Sequence, residues 1–451
     1  METFSIINPY TNKIIDTYPY QSLNDSIHIA KRLHNDQRQW KNTQNSEKKA
    51  LIQALANYLK ENKDVFATTM STEMGKPITE SKKEIEKCIN CCDYYINQLP
   101  QIKKELKKNN CIKEPLGVIL GIMPWNYPLW QLIRFLIPTI IAGNTCLIKP
   151  AVNTYKTARL LEMFFNNQTH SICKLCVIIE SEIAELIKSN HIHGVSLTGS
   201  IKAGKVVGGI TTSEIKPCIL ELGGSDPFII FEDATIDRAM ATAVQARFSN
   251  CGQTCIAAKR FLIAESIYEK AMKKFIDKTK QFVQFGDPTH PNTTVGPLAR
   301  IDIKNILEQQ LHESNLSTSM IAYKDATSNI SGNYFPAMII DGTNLTEESP
   351  LLNEEVFGPV AVCQPFTSTE DAIKKANATQ FGLGASIWTK NTAIQETCIS
   401  EIDCGTIAIN TLVQSKFDTP FGGRKQSGIG VELGLEGVLS FTKNKSIIES
   451  D

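Results

Sequence analysis

Between residues 117 and 231 the chain alternates short, β-branched apolar runs with helical stretches, and this alternation restricts the fold more than any other feature. The runs are GVILGI (117–122), TCLIK (145–149), LCVII (175–179), GVSLT (194–198) and FIIF (228–231). Helical patterns fill 129–142, 154–166, 182–189 and 201–212 between them. Strands that are apolar on both faces must be covered on both, so the pattern predicts a doubly wound α/β domain around a parallel sheet. Ligands of such sheets sit at the carboxyl ends of the strands. A second α/β unit begins around 224–235, with a helix over 235–248, a strand over 260–264 and a helix over 266–282. Upstream, 24–41, 46–62 and 80–97 read as amphipathic helices, and KKELKKNNCIKE (103–114) is a polar, basic break. The expected division is 1–98 with 115–223, then 224–430, with 99–114 and 431–451 as a small separate element. A cleft between the two large units is the expected place for a site.

Charge and cysteine usage narrow the function classes. Lys+Arg and Asp+Glu both total 47, so nothing points to a nucleic-acid partner. The most apolar stretch, 117–149, is broken by Pro124, Pro128, Arg134 and Pro138, so no membrane span is expected. The first 20 residues lack the charged and apolar regions of a signal peptide. The 13 cysteines are odd in number and scattered, unlike a disulfide framework. A cytoplasmic protein is the expectation. No clustered His/Cys pattern calls for a metal.

Several residues are candidates for chemistry, each beside a plainer reading. Cys255 follows a Gly-Gln turn in SNCGQTCIAAKR (249–260) and suits either a thiolate nucleophile or a small buried residue. Glu221 in LELGG (220–224) ends an apolar strand, as a general base or a solvated strand end. Asn126 in MPWNYP (123–128) suits an oxyanion donor or the N-cap of the helix that Pro128 opens. Lys149 in LIKPA ends a strand, where it either meets a nucleotide or simply exits the sheet. Gly199-Ser200 in LTGSIKAG starts a helix whose free N–H groups suit a pyrophosphate, or merely turns the chain. NEEVFGP (353–359) and FGGRKQSG (421–428) are turn-rich and also read as ordinary loops.

Taken together and in order, EPLGVILGIMPWNYP, AGNTCLIKPA, VSLTGS, LELGGSDPFII, FSNCGQTCIAAKR, EEVFGPV and PFGGRKQSGIG resemble the aldehyde dehydrogenase superfamily. INPYTNKII (7–15) is similar to that family's opening strand. The resemblance spans the chain. It implies a cofactor domain, a second α/β catalytic domain and a small oligomerisation element. It also implies an oxidation of a small-molecule aldehyde by NADP or NAD through a thioester. Cys255 matches the nucleophile, Glu221 the base for the deacylating water, and Asn126 the oxyanion donor. Lys149 and Glu355 match the residues on the two cofactor riboses, and Gly199 and Ser200 those at the pyrophosphate. Trp125 belongs to the same cofactor set, and Phe357 matches the aromatic beside the nicotinamide. The resemblance further implies a homodimer or homotetramer.

Three features depart from the common pattern. The acidic residue that NAD-preferring members carry three positions after the motif lysine is Val152 here, so NADP is expected to serve at least as well as NAD. The segment from Tyr95 to Glu114 is short for an oligomerisation hairpin. Cys251 adds a thiol four positions before Cys255, as a redox partner or a packed residue.

Within the superfamily, WNYPLWQLIR (125–134) and FSNCGQTCIAAKR are most similar to compact succinate-semialdehyde dehydrogenases. A broad aliphatic or amino-aldehyde dehydrogenase, and a non-catalytic member of the fold, are the alternatives. Trp130 and Arg134 lie four apart on one helix face. An arginine among Leu132, Ile133, Phe135 and Leu136 needs a counter-charge, either a structural carboxylate or the acid of the substrate. The succinate-semialdehyde reading gives Arg134 to the substrate acid and Trp130 to the tunnel wall.

Overall fold

The computed structural model describes residues 2–108, 110–326 and 332–449. Its first large sheet has the order 428–429, 218–221, 194–198, 118–122, 145–149, 173–175, and all pairs but the first are parallel. The earliest parallel strand, Val118–Ile122, is central, and the order reverses on either side of it. Its junction with Gly194–Thr198 is therefore a topological switch point, where loops from neighbouring strands diverge and leave a crevice. Val118, Ile119, Leu120, Leu147 and Ile148 are fully buried, as strands covered on both faces require. The third strand is Cys173–Leu175 rather than 175–179; Cys176 and Val177 continue buried but leave the ladder.

The second sheet has the order 321–324, 338–341, 360–366, 258–264, 226–230, 384–388, 406–409. Only its edge pair, 321–324 with 338–341, is antiparallel. FGGRKQSG is not a free loop. Arg424–Lys425 pairs with Phe381–Gly382, and Gly428–Ile429 pairs with Leu220 and Glu221. Ser427 Oγ donates to Gly223 O at 2.7 Å and accepts from Gly382 N at 2.9 Å. This segment adds a strand from 428–429 to the edge of the first sheet, so the first sheet includes residues from both 115–223 and 224–430.

The small element also differs from its expected extent. The fourth helix runs Ile78–Leu106, because Leu99 and Ile102 extend the buried stripe past Pro100. The separate sheet is confined to Lys107–Lys108, Cys111–Pro115 and Thr442–Ser446. Among the described residues no helix is long and apolar enough to cross a membrane. All 13 cysteines are unpaired.

The start of the helix Trp130–Ile141 is held by a residue from far upstream. Glu84 Oε1 accepts from the backbone N–H of Leu129 and of Trp130, both at 2.9 Å. Its other oxygen pairs with Lys76, whose ammonium lies 3.7 Å from the centroid of the Tyr127 ring. Both charged side chains are essentially unexposed. Glu84→Ala leaves a buried cation unpaired and two helix N–H groups without acceptors, a loss of about 3–5 kcal/mol. A thermal melt should show a drop of several degrees, with Glu84→Gln intermediate; an unchanged midpoint would refute this account.

Candidate active site

Two cavities meet at Cys255, and the half-buried thiol lines both. The smaller, about 250 Å³, opens at the switch point between Trp125-Asn126 and Gly199-Ser200 and is closed by Glu355 and Phe357. The larger, about 850 Å³, runs past Trp130, Arg134 and Phe417 towards Lys87. A nucleophile shared by two cavities can face one ligand from each side.

The loop before Cys255 is strained. Asn250, Cys251 and Gly252 all adopt left-handed φ, at 50°, 55° and 72°. Such a run persists only where the surroundings over-determine it. Glu80 accepts from Asn250 N at 2.8 Å, and Arg247 donates to Gly252 O at 3.0 Å. Gln253 Nε2 donates to Asn250 O, while its Oε1 accepts from Ala299 N at 2.8 Å. Lys259 Nζ gathers the carbonyls of Thr254, Cys255 and Ala257 and stands 3.6 Å from Glu355. Sequence reasoning gave Glu80, Arg247 and Lys259 no role. Lys259 lay inside a quoted motif; Glu80 and Arg247 carried no local signal beyond being charged residues on amphipathic helices.

Asn126 is joined to this loop. Its Nδ2 donates to Gln253 O at 3.0 Å, and its backbone O accepts from Asn250 Nδ2 at 2.8 Å. The second N–H of the amide remains to face the cavity. Helix capping does not explain this residue, since the helix starts at Trp130 and Glu84 satisfies its first N–H groups.

Glu221 is 1% exposed and neither oxygen accepts a hydrogen bond. Burial pushes its carboxyl up to about 8, against the opposing charge of Arg134. It is not a solvated strand end. Burial pushes the Cys255 thiol up to about 12; Glu221 adds to this, while Arg134 and Lys259 oppose it.

On the cofactor side, Ser200 caps the helix Ile201–Ser213, accepting from Ala203 N at 3.2 Å. Gly199 N is anchored to Glu221 O at 2.9 Å. Trp125 and Phe357 stand edge to face at 5.7 Å. Glu355 Oε1 accepts from Gly224 N at 3.2 Å, and a Cβ at Gly223 would push against the other Glu355 oxygen. Lys149 ends its strand 7% exposed, and burial lowers its ammonium while the Glu180 carboxylate opposes that.

Arg134 requires a correction. It is 2% exposed, its Nε pairs with Glu432 at 2.5 Å, and its Nη2 lies 3.6 Å from Glu221 and 3.1 Å from Thr198 Oγ1. Two carboxylates of the chain already balance this guanidinium. It is therefore not an unpaired cation, and it lines the larger cavity. Cys251 is also settled by packing: it lies 1% exposed in the core of the second unit, whereas Cys255 packs against the core under the first sheet.

Comparison with known proteins agrees with this geometry. The sequence profile of the Aldehyde dehydrogenase family matches residues 1–447. A succinate-semialdehyde dehydrogenase (NADP(+)) of Mycobacterium leprae (strain TN) is 35% identical over 456 residues, covering 99% of both chains. The structure of succinic semialdehyde dehydrogenase from Streptococcus pyogenes in complex with NADP+ superposes with a TM-score of 0.93 at 29% identity, covering 99% of this chain and 100% of that one. A betaine aldehyde dehydrogenase of Staphylococcus aureus, solved with NAD+, superposes at 0.90 with 26% identity, covering 99% and 91%. With a matching profile along nearly its whole length and a relative 35% identical over 99% of both chains, the chain belongs to the aldehyde dehydrogenase family.

Proposed function

We propose that the protein oxidises succinate semialdehyde to succinate, with NADP or NAD as the hydride acceptor, through a thioester on Cys255. The observation that carries the chemistry is the position of Cys255 between two cavities, with Asn126 lining the smaller one and the unbonded Glu221 carboxylate, which lines neither, near enough to act on the thiol's charge. The Cys255 thiol gives up its proton to water in the cavity, the sulfur bonds to the aldehyde carbon, and the carbonyl π pair moves to the oxygen as negative charge. The free N–H of Asn126 and the backbone N–H of Cys255 are the donors for that charge. When bound, the nicotinamide group takes the hydride that converts this adduct into the thioester. Glu221 then accepts a proton from water as it attacks the acyl carbon, and the thiol leaves with the acid released.

The smaller cavity, lined by Trp125, Gly199, Ser200, Glu355 and Phe357 though not by Lys149, would take the nicotinamide end of such a cofactor. The N-terminus of Ile201–Ser213 offers free N–H groups for a pyrophosphate at the switch point. Lys149 and Glu355 would bind the two riboses, and Trp125 and Phe357 give the ring an apolar wall. Val152 places no charge beside Lys149, which favours a 2′-phosphate, although the Glu180 carboxylate nearby works against it. Assembly as a homodimer or homotetramer belongs to the same reading, with the three-stranded sheet as the element that would join chains.

An aldehyde panel with each cofactor, followed by NAD(P)H absorbance, tests this. Succinate semialdehyde should exceed butanal and amino-aldehydes in kcat/KM by roughly a hundredfold, and NADP should serve at least as well as NAD. A flat panel would reject the substrate. A preference for NAD of about a hundredfold would show that Glu180 outweighs Val152.

A further inference from the structure

Near its start the strand Ala258–Ala264 carries two adjacent cations, Lys259 and Arg260, whose side chains leave the sheet on opposite faces. Arg260 directs its guanidinium to the carbonyls of Ser225, Lys375 and Ala376. Lys259 turns back to the loop that carries Cys255. Its Nζ donates to Cys255 O at 2.7 Å, Thr254 O at 3.1 Å and Ala257 O at 3.3 Å, and its side chain is unexposed. Three N–H groups meet three carbonyls, so every donor of the ammonium is used. The carbonyls satisfy the donors but leave the charge. Among the described residues its one ion-pair partner is Glu355, 3.6 Å away, which lines the smaller cavity.

We propose that Lys259 is a positioning residue for the nucleophile, which ties together the carbonyls around Cys255 and holds a fixed positive charge shared between Glu355 and the Cys255 thiolate. This deepens the reading of Cys255 as the nucleophile and rests on it. Holding the loop needs only donors, which a neutral side chain supplies. A dry ammonium is costly unless its charge has a use. Attack on an aldehyde needs the thiolate, and a cation held beside the nucleophile's own peptide lowers the cost of forming it.

The charges around the two groups agree with this. Burial is the main obstacle to ionising the Cys255 thiol, and Glu221 adds to it; Arg134 and Lys259 favour the thiolate, and Glu355 opposes it. Tyr127, on the wall of the larger cavity, also feels the thiol's charge. Burial lowers the Lys259 ammonium, Glu355 and Asp226 restore it, and Arg247 works against them. A shared charge has a consequence that a purely structural lysine lacks. Removing the Lys259 charge should slow reaction at the thiol, and removing the Glu355 charge should speed it.

The experiment is alkylation of Cys255 by iodoacetamide in the cofactor-free enzyme at a series of pH values, followed by mass spectrometry of the peptide that carries it. Lys259→Gln keeps N–H donors and removes the charge. Its alkylation near pH 8.5 should slow by roughly tenfold, with the whole profile moved to higher pH. Glu355→Gln should speed alkylation by roughly threefold or more, and that gain should shrink when the two substitutions are combined. In turnover, Lys259→Gln should slow the NAD(P)H burst by about the same factor as alkylation, with KM for the aldehyde little changed and the pH limb of Glu221 still present. If Lys259→Gln melts far below wild type, the Glu355→Gln arm decides alone. Unchanged alkylation in a folded Lys259→Gln, or no gain in Glu355→Gln, would overturn the proposal while Cys255 stays the nucleophile. Activity retained by Cys255→Ala would overturn the nucleophile reading, and the proposal with it.

Discussion

Replacing Cys255 with alanine is expected to reduce aldehyde-dependent NAD(P)H formation by more than roughly a thousandfold. Among the described residues Cys255 is the one thiol that lines both cavities. The loop that carries it is fixed by backbone contacts from Glu80, Arg247 and Lys259, none of which involves the thiol. The substitution should therefore leave the melting midpoint and cofactor binding close to wild type. Steady-state rates and a fluorescence titration with NADPH check both parts. Activity within about tenfold of wild type would remove Cys255 from the mechanism.

Glu221→Gln should fail at a different step. Acylation needs the thiol and the oxyanion donors, whereas release of the acid needs a base for water. A rapid mix with succinate semialdehyde should give a burst of NAD(P)H approaching one equivalent per site, followed by turnover slowed by roughly a hundredfold or more. The pH dependence carries a second signature. The Glu221 carboxyl is raised to about 8, so it is mostly protonated and idle as a base below that pH. Wild-type deacylation should rise with pH and level off above about 8, and the glutamine variant should lack that limb. Unchanged steady turnover, or a limb that survives the substitution, would assign the base elsewhere.

Arg134 sits between these two results. It faces Glu221 at 3.6 Å and opposes the rise in its pKa. Losing Arg134 should thus harm deacylation with semialdehyde and butanal alike, because that part of the damage falls on the base.

Much of the site was legible in the chain. The alternation of apolar runs and helices gave the parallel sheet, since burial on both faces leaves a local mark on every strand. The motifs around Asn126, Lys149, Glu221 and Cys255 each fall at a strand end or turn, where backbone constraints also leave a local mark. Some boundaries were misread where local pattern and long-range pairing part ways. The basic run 103–114 looked like a break, yet the long helix continues into it as far as Leu106. FGGRKQSG looked like loop chemistry, yet its glycines and Ser427 lie against the strand that carries Glu221.

The sequence by itself determined which groups are present and that the fold is doubly wound. Only the tertiary structure decided which charges are already spent. Arg134 meets Glu432, and Glu84 meets Lys76 and the start of the helix at Trp130. The physical reason is that burial follows from local periodicity, while the counter-ion of a buried charge is chosen by whatever distant segment packs against it. Arg134 looked in sequence like a cation in need of a counter-charge, and only the fold shows that Glu432 and Glu221 lie beside it.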